Sequence, residues 1–283
     1  MKRTLTGLGL FTGLMGFIFL TWVQVGNVKI GQFVFDALIL LFCGAAANEI
    51  YKVFKTKGYN PSFIPLLLYL VAIYPMVYFL GFKGYTVTAA TAFLLSFCFF
   101  IFDSKVHLAD FMVTLFILVY PLMLISLGLY LTVSYGMLPF LIAVGASMCA
   151  DTCAYYLGTL FKGPKIFPKI SPKKTYSGSI CGIFGGVLGS ALVYLLFEVV
   201  NLPVNDALRF TEVLAHPILF YLLIGGAIGV ISEIGDLAAS RLKRELDIKD
   251  FSKAFGSHGG IMDRLDSILF GLLFTTIVMA FLI

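Results

Sequence analysis

Between Ser240 and Asp266 the chain reads SRLKRELDIKDFSKAFGSHGGIMDRLD, which places six basic residues, five acids and a His-Gly-Gly in 27 positions. Four residues ahead of it stands Asp236. Ser232, Asp236 and Ser240 recur every four residues, the spacing that lines one helix face, and this face leads into Lys243 and Arg244. Asp263 and Asp266, three apart at a helix start, point to one side, with Arg264 between them. Together Asp236, Asp263 and Asp266 compose an oxygen-only donor set of the kind a hard cation such as Mg²⁺ takes, with waters and substrate phosphates completing the shell. The same two acids would also stabilise a helix N-terminus. His258-Gly259-Gly260 is a short turn. Its glycines permit positive φ and close approach of the backbone to a ligand, and its successive N–H groups can cradle an anion.

A second basic cluster, KGPKIFPKISPKKTYSG over 162–178, carries five Lys and three Pro, so it is expected to be irregular rather than helical. Lysines beside a bilayer attract anionic lipid heads at about 1 kcal/mol each, although they also serve simply as topology anchors. Upstream, Asp151 and Tyr155 are four apart and put a carboxylate and a phenol on one helix face. An ionisable group at membrane depth is costly and is a functional candidate by default. Asp151, Glu233 and Asp236 therefore mark the second part of the chain as the active one.

The elements that must position these groups are membrane spans. The chain is 60% hydrophobic and 12% charged, with mean hydropathy +0.98, far from the roughly 25% charge of soluble domains. Nine runs approach the ~20 apolar residues that cross a bilayer as helix: 5–25, 30–51, 62–82, 85–102, 108–134, 137–161, 179–200, 217–239 and 265–283. Long continuous runs exclude a strand barrel. With the N-terminus inside, 17 of the 20 Lys and Arg fall on the inner side and only Lys29, Lys83 and Arg209 outside, as the positive-inside rule requires. The expectation is an all-α polytopic protein of nine spans with its C-terminus outside. It would form one domain, 1–283, with 1–134 as helical scaffold and 135–283 as catalytic helices and loops. The net charge of +5 is accounted for by these loops, and nucleic acid is not an expected partner. The five Cys make no metal-type spacing and read as structural thiols. Gly178/Gly182, Gly185/Gly189 and Gly225/Gly229 are small-xxx-small pairs that let helices approach closely, either inside one protomer or at a homodimer seam.

Position by position, the 240–266 segment resembles the signature of phosphatidate cytidylyltransferases (CDP-diacylglycerol synthases). The elements are Ser240, Lys243-Arg244, Lys249-Asp250, Ser252, Phe255-Gly256, His258-Gly259-Gly260-Ile261 and Asp263-Arg264-Leu265-Asp266. Asp151, Ala154, Tyr155 and Gly158, followed by Ser171, Pro172, Lys174 and Thr175, resemble two further stretches of the family. Asn48-Glu49 is a faint echo. Cys153 and Ser177 depart from it, standing where many relatives have Gly and Glu.

The resemblance implies that CTP and phosphatidate react to give CDP-diacylglycerol and pyrophosphate at the inner face of a bacterial cytoplasmic membrane. It further implies Mg²⁺, with room for a second cation, on Asp236, Asp263 and Asp266. Lys243, Arg244, Lys249 and Arg264 would neutralise the triphosphate, with His258, Gly259 and Gly260 at a phosphate and Ser240 and Asp250 beside them. Ser171, Lys173, Lys174 and Thr175, with Asp151 and Tyr155 nearby, would hold lipid phosphate or nucleotide. A lipid phosphomonoester is largely dianionic near pH 7, so no Ser-His-Asp relay is needed. A CTP-dependent polyprenol kinase, an ether-lipid cytidylyltransferase and an ion-coupled transporter are the competing readings.

Overall fold

The computed structural model describes residues 30–172, 174–202, 208–256 and 259–282. Seven helices among them are long and apolar enough to cross a membrane: α1 (Ile30–Thr56), α2 (Phe63–Phe102), α3 (Leu108–Ser134), α4 (Met137–Phe161), α5 (Tyr176–Val199), α6 (Pro217–Glu245) and α7 (Met262–Leu282). The chain is therefore an all-α polytopic membrane protein, and no strand occurs among the described residues. The expected span 5–25 lies outside them.

The expected spans 62–82 and 85–102 both fall within α2. This stretch is not straight: Gly81 has φ +56 and ψ −131 in its middle, a left-handed conformation that glycine adopts without penalty. A side chain at Gly84 would strike the carbonyl of Met76, eight residues back, which a straight helix would hold some 12 Å away. Tyr69 and Tyr85 reach the same turn of α3, at Ser126 (2.7 Å) and the Met123 carbonyl (2.9 Å). The stretch thus folds into a helical hairpin at Gly81, in line with the two spans read from sequence.

Helix boundaries follow local chemistry. Gly58 (φ +92) ends α1 in a left-handed turn, and Tyr59 N–H donates back to Phe54 O, the C-terminal closure in which glycine is favoured. Thr175 caps α5 by accepting from Gly178 N–H at 3.2 Å, and Pro217 opens α6 at a position where its missing N–H costs nothing. α3 contains a π-helical turn, Leu118–Met123, at Pro121. Carbonyls in this turn also accept from side chains, Cys43 Sγ on Leu122 O and Tyr85 Oη on Met123 O. Asp36, a buried acid in α1, accepts from Gln32 and Thr132 at 3.0 Å each. It therefore ties α1 to α3 rather than lining the site.

α4, α5, α6 and α7 pack as a bundle, and α3 and α1 also touch α7. The glycine face of α5 lies in the middle of this bundle. A side chain at Gly186 would collide with the Gly225 carbonyl and lie 2.9 Å from Gly229 backbone, so these small residues serve contacts within one protomer. Gly186→Val is expected to cost about 1–3 kcal/mol or more through overpacking. A lowered unfolding midpoint in detergent would register it.

Candidate active site

α6 presents Asp236 and Lys243 two turns apart on one face, and the first turn of α7 brings Asp263 and Asp266 opposite them. Lys243 Nζ lies 2.8 Å from Asp263 Oδ1 and 3.8 Å from Asp266 Oδ2, with the Phe251 ring centroid at 5.3 Å. The pair is buried: the Lys243 and Asp263 side chains are 13% and 7% exposed. Asp263 Oδ2 also accepts the N–H groups of Phe251 and Gly260, at 2.9 Å each. Asp263 therefore organises the loop that precedes it. The two glycines are explained by the same contacts. Gly259 has φ +80, and a side chain there would sit 2.9 Å from Asp263 Oδ2, whereas one at Gly260 would collide with the Glu49 carboxylate.

Glu49 is the residue of this centre that sequence reasoning undervalued. It comes from α1, is 8% exposed, and is fully engaged with the signature loop. Oε1 accepts Ser252 Oγ at 2.6 Å and Ile261 N–H at 3.0 Å, and Oε2 accepts Met262 N–H at 2.9 Å. The available signal was an acid near the C-terminal end of an apolar run; its partners lie more than 200 residues away along the chain.

The two basic segments meet at this place. Lys174 Nζ lies 2.8 Å from Asp236 Oδ2 and donates to Glu233 O at 3.3 Å. Arg244 Nε donates to Ile170 O at 3.4 Å. Asp151 on α4 accepts Ser267 Oγ of α7 at 2.6 Å and interacts electrostatically with Asp236, Lys174 and Glu233; Asp266 interacts likewise with Asp236, Lys243 and Asp151. Four helices and two loops thus converge on a set of alternating carboxylates and ammonium groups.

Residues 3–282 match the cytidylyltransferase family. The chain belongs to that family. Similar proteins include the phosphatidate cytidylyltransferase of Thermotoga maritima, 28% identical over 71% of this chain and 72% of the relative. That of Aquifex aeolicus is 34% identical over 58% and 55%, and that of Bacillus subtilis 31% identical over 52% and 49%. This cytidylyltransferase is an enzyme of the nucleotidyltransferase class, as the signature resemblance implied.

Of the residues the sequence singled out, the cytidylyltransferase brings Asp151, Lys174, Asp236, Lys243, Asp263 and Asp266 together, with Gly259 and Gly260 behind Asp263. Arg244, Lys249, Asp250 and Arg264 are exposed and Ser240 is half-buried. Ser171 closes a backbone turn, donating to Phe167 O and accepting from Lys174 N–H, and Thr175 is spent on its cap. Tyr155 packs edge-on against Tyr156 and is 56% exposed, on the surface of α4. Ser177, one of the departures, bonds the Lys162 carbonyl at 3.2 Å. Lys173 and His258 lie outside the described residues.

The expected carboxylate cage does not stand preassembled. Among the described residues no three His, Cys, Asp or Glu side chains are grouped to hold an ion. Lys174 and Lys243 lie against the acids instead, and three donors already occupy Asp263. The donor chemistry still fits Mg²⁺, which commonly binds through one or two carboxylates plus waters and substrate phosphates. The Tyr120 hydroxyl is buried, without a hydrogen-bond partner among the described residues, and interacts electrostatically with Asp266, Asp236 and Asp263.

Proposed function

We propose that this cytidylyltransferase moves the cytidylyl group of CTP onto phosphatidate, giving CDP-diacylglycerol and pyrophosphate for phospholipid biosynthesis, at the cytoplasmic face of a bacterial inner membrane. The observation that carries the reading is the junction of Lys174 with Asp236. It joins the 162–178 loop to the signature helix, so that cations from both segments border one acidic centre. The names of the relatives supply the lipid: three of them are phosphatidate cytidylyltransferases.

A phosphatidate oxygen would attack the α-phosphorus of CTP. A new O–P bond forms as the bond from the α-phosphorus to the bridging oxygen breaks, and pyrophosphate departs with that electron pair. No proton need be removed from a dianionic nucleophile, so positioning and charge stabilisation are the protein's task. Arg244, Lys249 and Arg264, all exposed, would meet the triphosphate and the departing pyrophosphate. Lys174, held by Asp236, would lie between nucleotide and lipid phosphate. Lys243 is buried against Asp263 and would keep the loop in shape. Asp236 and Asp266 would hold Mg²⁺, which when bound would neutralise and orient the triphosphate.

The test is purified protein with Mg²⁺, CTP and phosphatidate, reading pyrophosphate and CDP-lipid together. Equal amounts are expected; CDP with a phosphorylated polyprenol would instead establish a kinase. Asp236→Asn is expected to lower kcat about 10²–10³-fold, as loss of one preorganised electrostatic group does, and to raise the Mg²⁺ needed for half-maximal rate. Full turnover at the original Mg²⁺ requirement would sink the assignment of Asp236.

A further inference from the structure

Asp151 of α4 and Asp266 of α7 meet at Ser267, which follows Asp266 in the chain and is 1% exposed. Ser267 Oγ donates across the seam between the two helices to Asp151 Oδ2 at 2.6 Å, within the ~2.5–2.7 Å of a hydroxyl bonded to a carboxylate. Its N–H donates to Asp266 Oδ1 at 2.9 Å and so fixes that side chain against its own backbone. Asp266 Oδ2 is left on the side of Lys243, 3.8 Å from Nζ. Two carboxylates of the charged centre are therefore set at one residue. Any residue but proline supplies the N–H; what serine adds by its type is the hydroxyl.

The backbones around Ser267 are tightly placed. One turn along α7, a side chain at Gly271 would collide with Ser147 Oγ of α4, and one at Gly235 of α6 would collide with the Asp266 carbonyl. α4 and α6 thus both press on α7 beside Ser267. A side chain at Gly182 of α5 would lie 3.4 Å from Ala154 Cβ and 3.5 Å from both Ala150 O and Glu233 Oε1. The turn of α4 that carries Asp151 is therefore level with the turn of α6 that begins at Glu233, where Lys174 is bound.

This packing holds α4 to α7 without help from Asp151. The hydroxyl of Ser147, one turn from Asp151 in the same seam, has no hydrogen-bond partner among the described residues, so the seam does not depend on bonded hydroxyls. A carboxylate at membrane depth is costly, and buried apolar contacts tie elements together at least as well. An acid kept at this place belongs to the charged centre, and the bond from Ser267 serves it. We infer that Ser267 is a positioning residue of the transfer reaction: its hydroxyl holds Asp151 in one orientation, in fixed relation to Asp266 on the preceding residue. It acts through Asp151 and touches neither substrate. The inference rests on the cytidylyl-transfer reading and extends it by one residue.

The test uses the full-length protein with Mg²⁺, CTP and phosphatidate, with rates expressed per folded molecule and the unfolding midpoint measured beside them. Ser267→Ala keeps the N–H and a good helix former, so the Asp266 contact stays. Its kcat is expected to fall about 10–100-fold, the usual loss when the group that orients an active-site side chain is removed. KM for CTP should not change, the split that marks an interaction made in the transition state. Ser267→Thr, which restores a hydroxyl, should recover most of kcat. In an Asp151→Ala background the hydroxyl has lost its partner, and Ser267→Ala should then cost nothing further. An equal loss in both backgrounds would overturn the inference, as would a lowered midpoint with kcat unmoved, which is the mark of a structural tie. If the wild type instead phosphorylates a polyprenol and releases CDP, the cytidylyl-transfer reading falls, and the same ratios taken on that reaction still decide the role of Ser267.

Discussion

Lys243→Met is expected to be the most damaging single substitution in the protein, destabilising it by about 3–5 kcal/mol, the cost of breaking a buried ion pair by removing one partner. The reason is the arrangement around the ammonium group. Asp263 lies 2.8 Å and Asp266 3.8 Å away, and both side chains are buried where α6 meets α7. Without Lys243 two carboxylates face one another with no cation between them. A methionine fills the volume but leaves that charge uncompensated. Activity should vanish together with stability, because Asp263 also holds the N–H groups of Phe251 and Gly260. Lys243→Arg, which keeps the charge, should recover most of the unfolding midpoint. A denaturant titration in mixed micelles, run beside initial rates, separates the two effects: an unchanged midpoint for the methionine variant would show that the pair is not structural.

Glu49→Ala is the second large effect, and it acts from a residue more than 200 positions before the loop it holds. Removing this carboxylate strands the buried N–H groups of Ile261 and Met262 and frees Ser252 Oγ. Each buried donor left unpaired costs about 1–3 kcal/mol. The loop between α6 and α7 would lose its attachment to α1, and small displacements of catalytic groups reduce rate about 10²-fold. Glu49→Gln should fare only slightly better, since the amide nitrogen brings a donor to a place where three donors already converge. Protection of the Ile261 and Met262 amides from hydrogen exchange is the decisive measurement. Wild-type protection in the alanine variant would mean that other groups hold the loop.

Most of the architecture was legible because a bilayer imposes a simple rule on sequence: apolar runs of sufficient length become helices. The runs at 30–51, 108–134 and 137–161 begin within a residue of α1, α3 and α4 or coincide with them. The reversal at Gly81 was legible too, as the break between 62–82 and 85–102. The clustering of Asp236, Lys243, Asp263 and Asp266 followed from helical spacing, and the convergence of the 162–178 loop on them from the family resemblance. What spacing could not supply was the division of labour within the cluster. Asp263 has the residue type of a metal ligand, but the loop's own N–H groups and Lys243 engage it in the folded chain. Gly259 and Gly260 have the types of an anion cradle, but carboxylates of this same chain lie against them. Glu49 and Tyr120 were beyond reach because their neighbours come from segments more than a hundred residues away. Local periodicity says nothing about such pairings.

The attachment of Glu49 also dictates an order of assembly. α1 enters the membrane long before α7 is synthesised, and the partners of Glu49 lie 203 to 213 residues downstream. Throughout that interval the nascent chain carries an acid near the end of an apolar helix with its eventual donors still unmade. α7 and the loop before it therefore close on α1 as a latch does, joining a segment made late to one made early. A chain shortened by the α7 segment would retain an unsatisfied carboxylate at the membrane boundary, the kind of exposed polar defect by which an incomplete membrane protein is distinguished from a finished one.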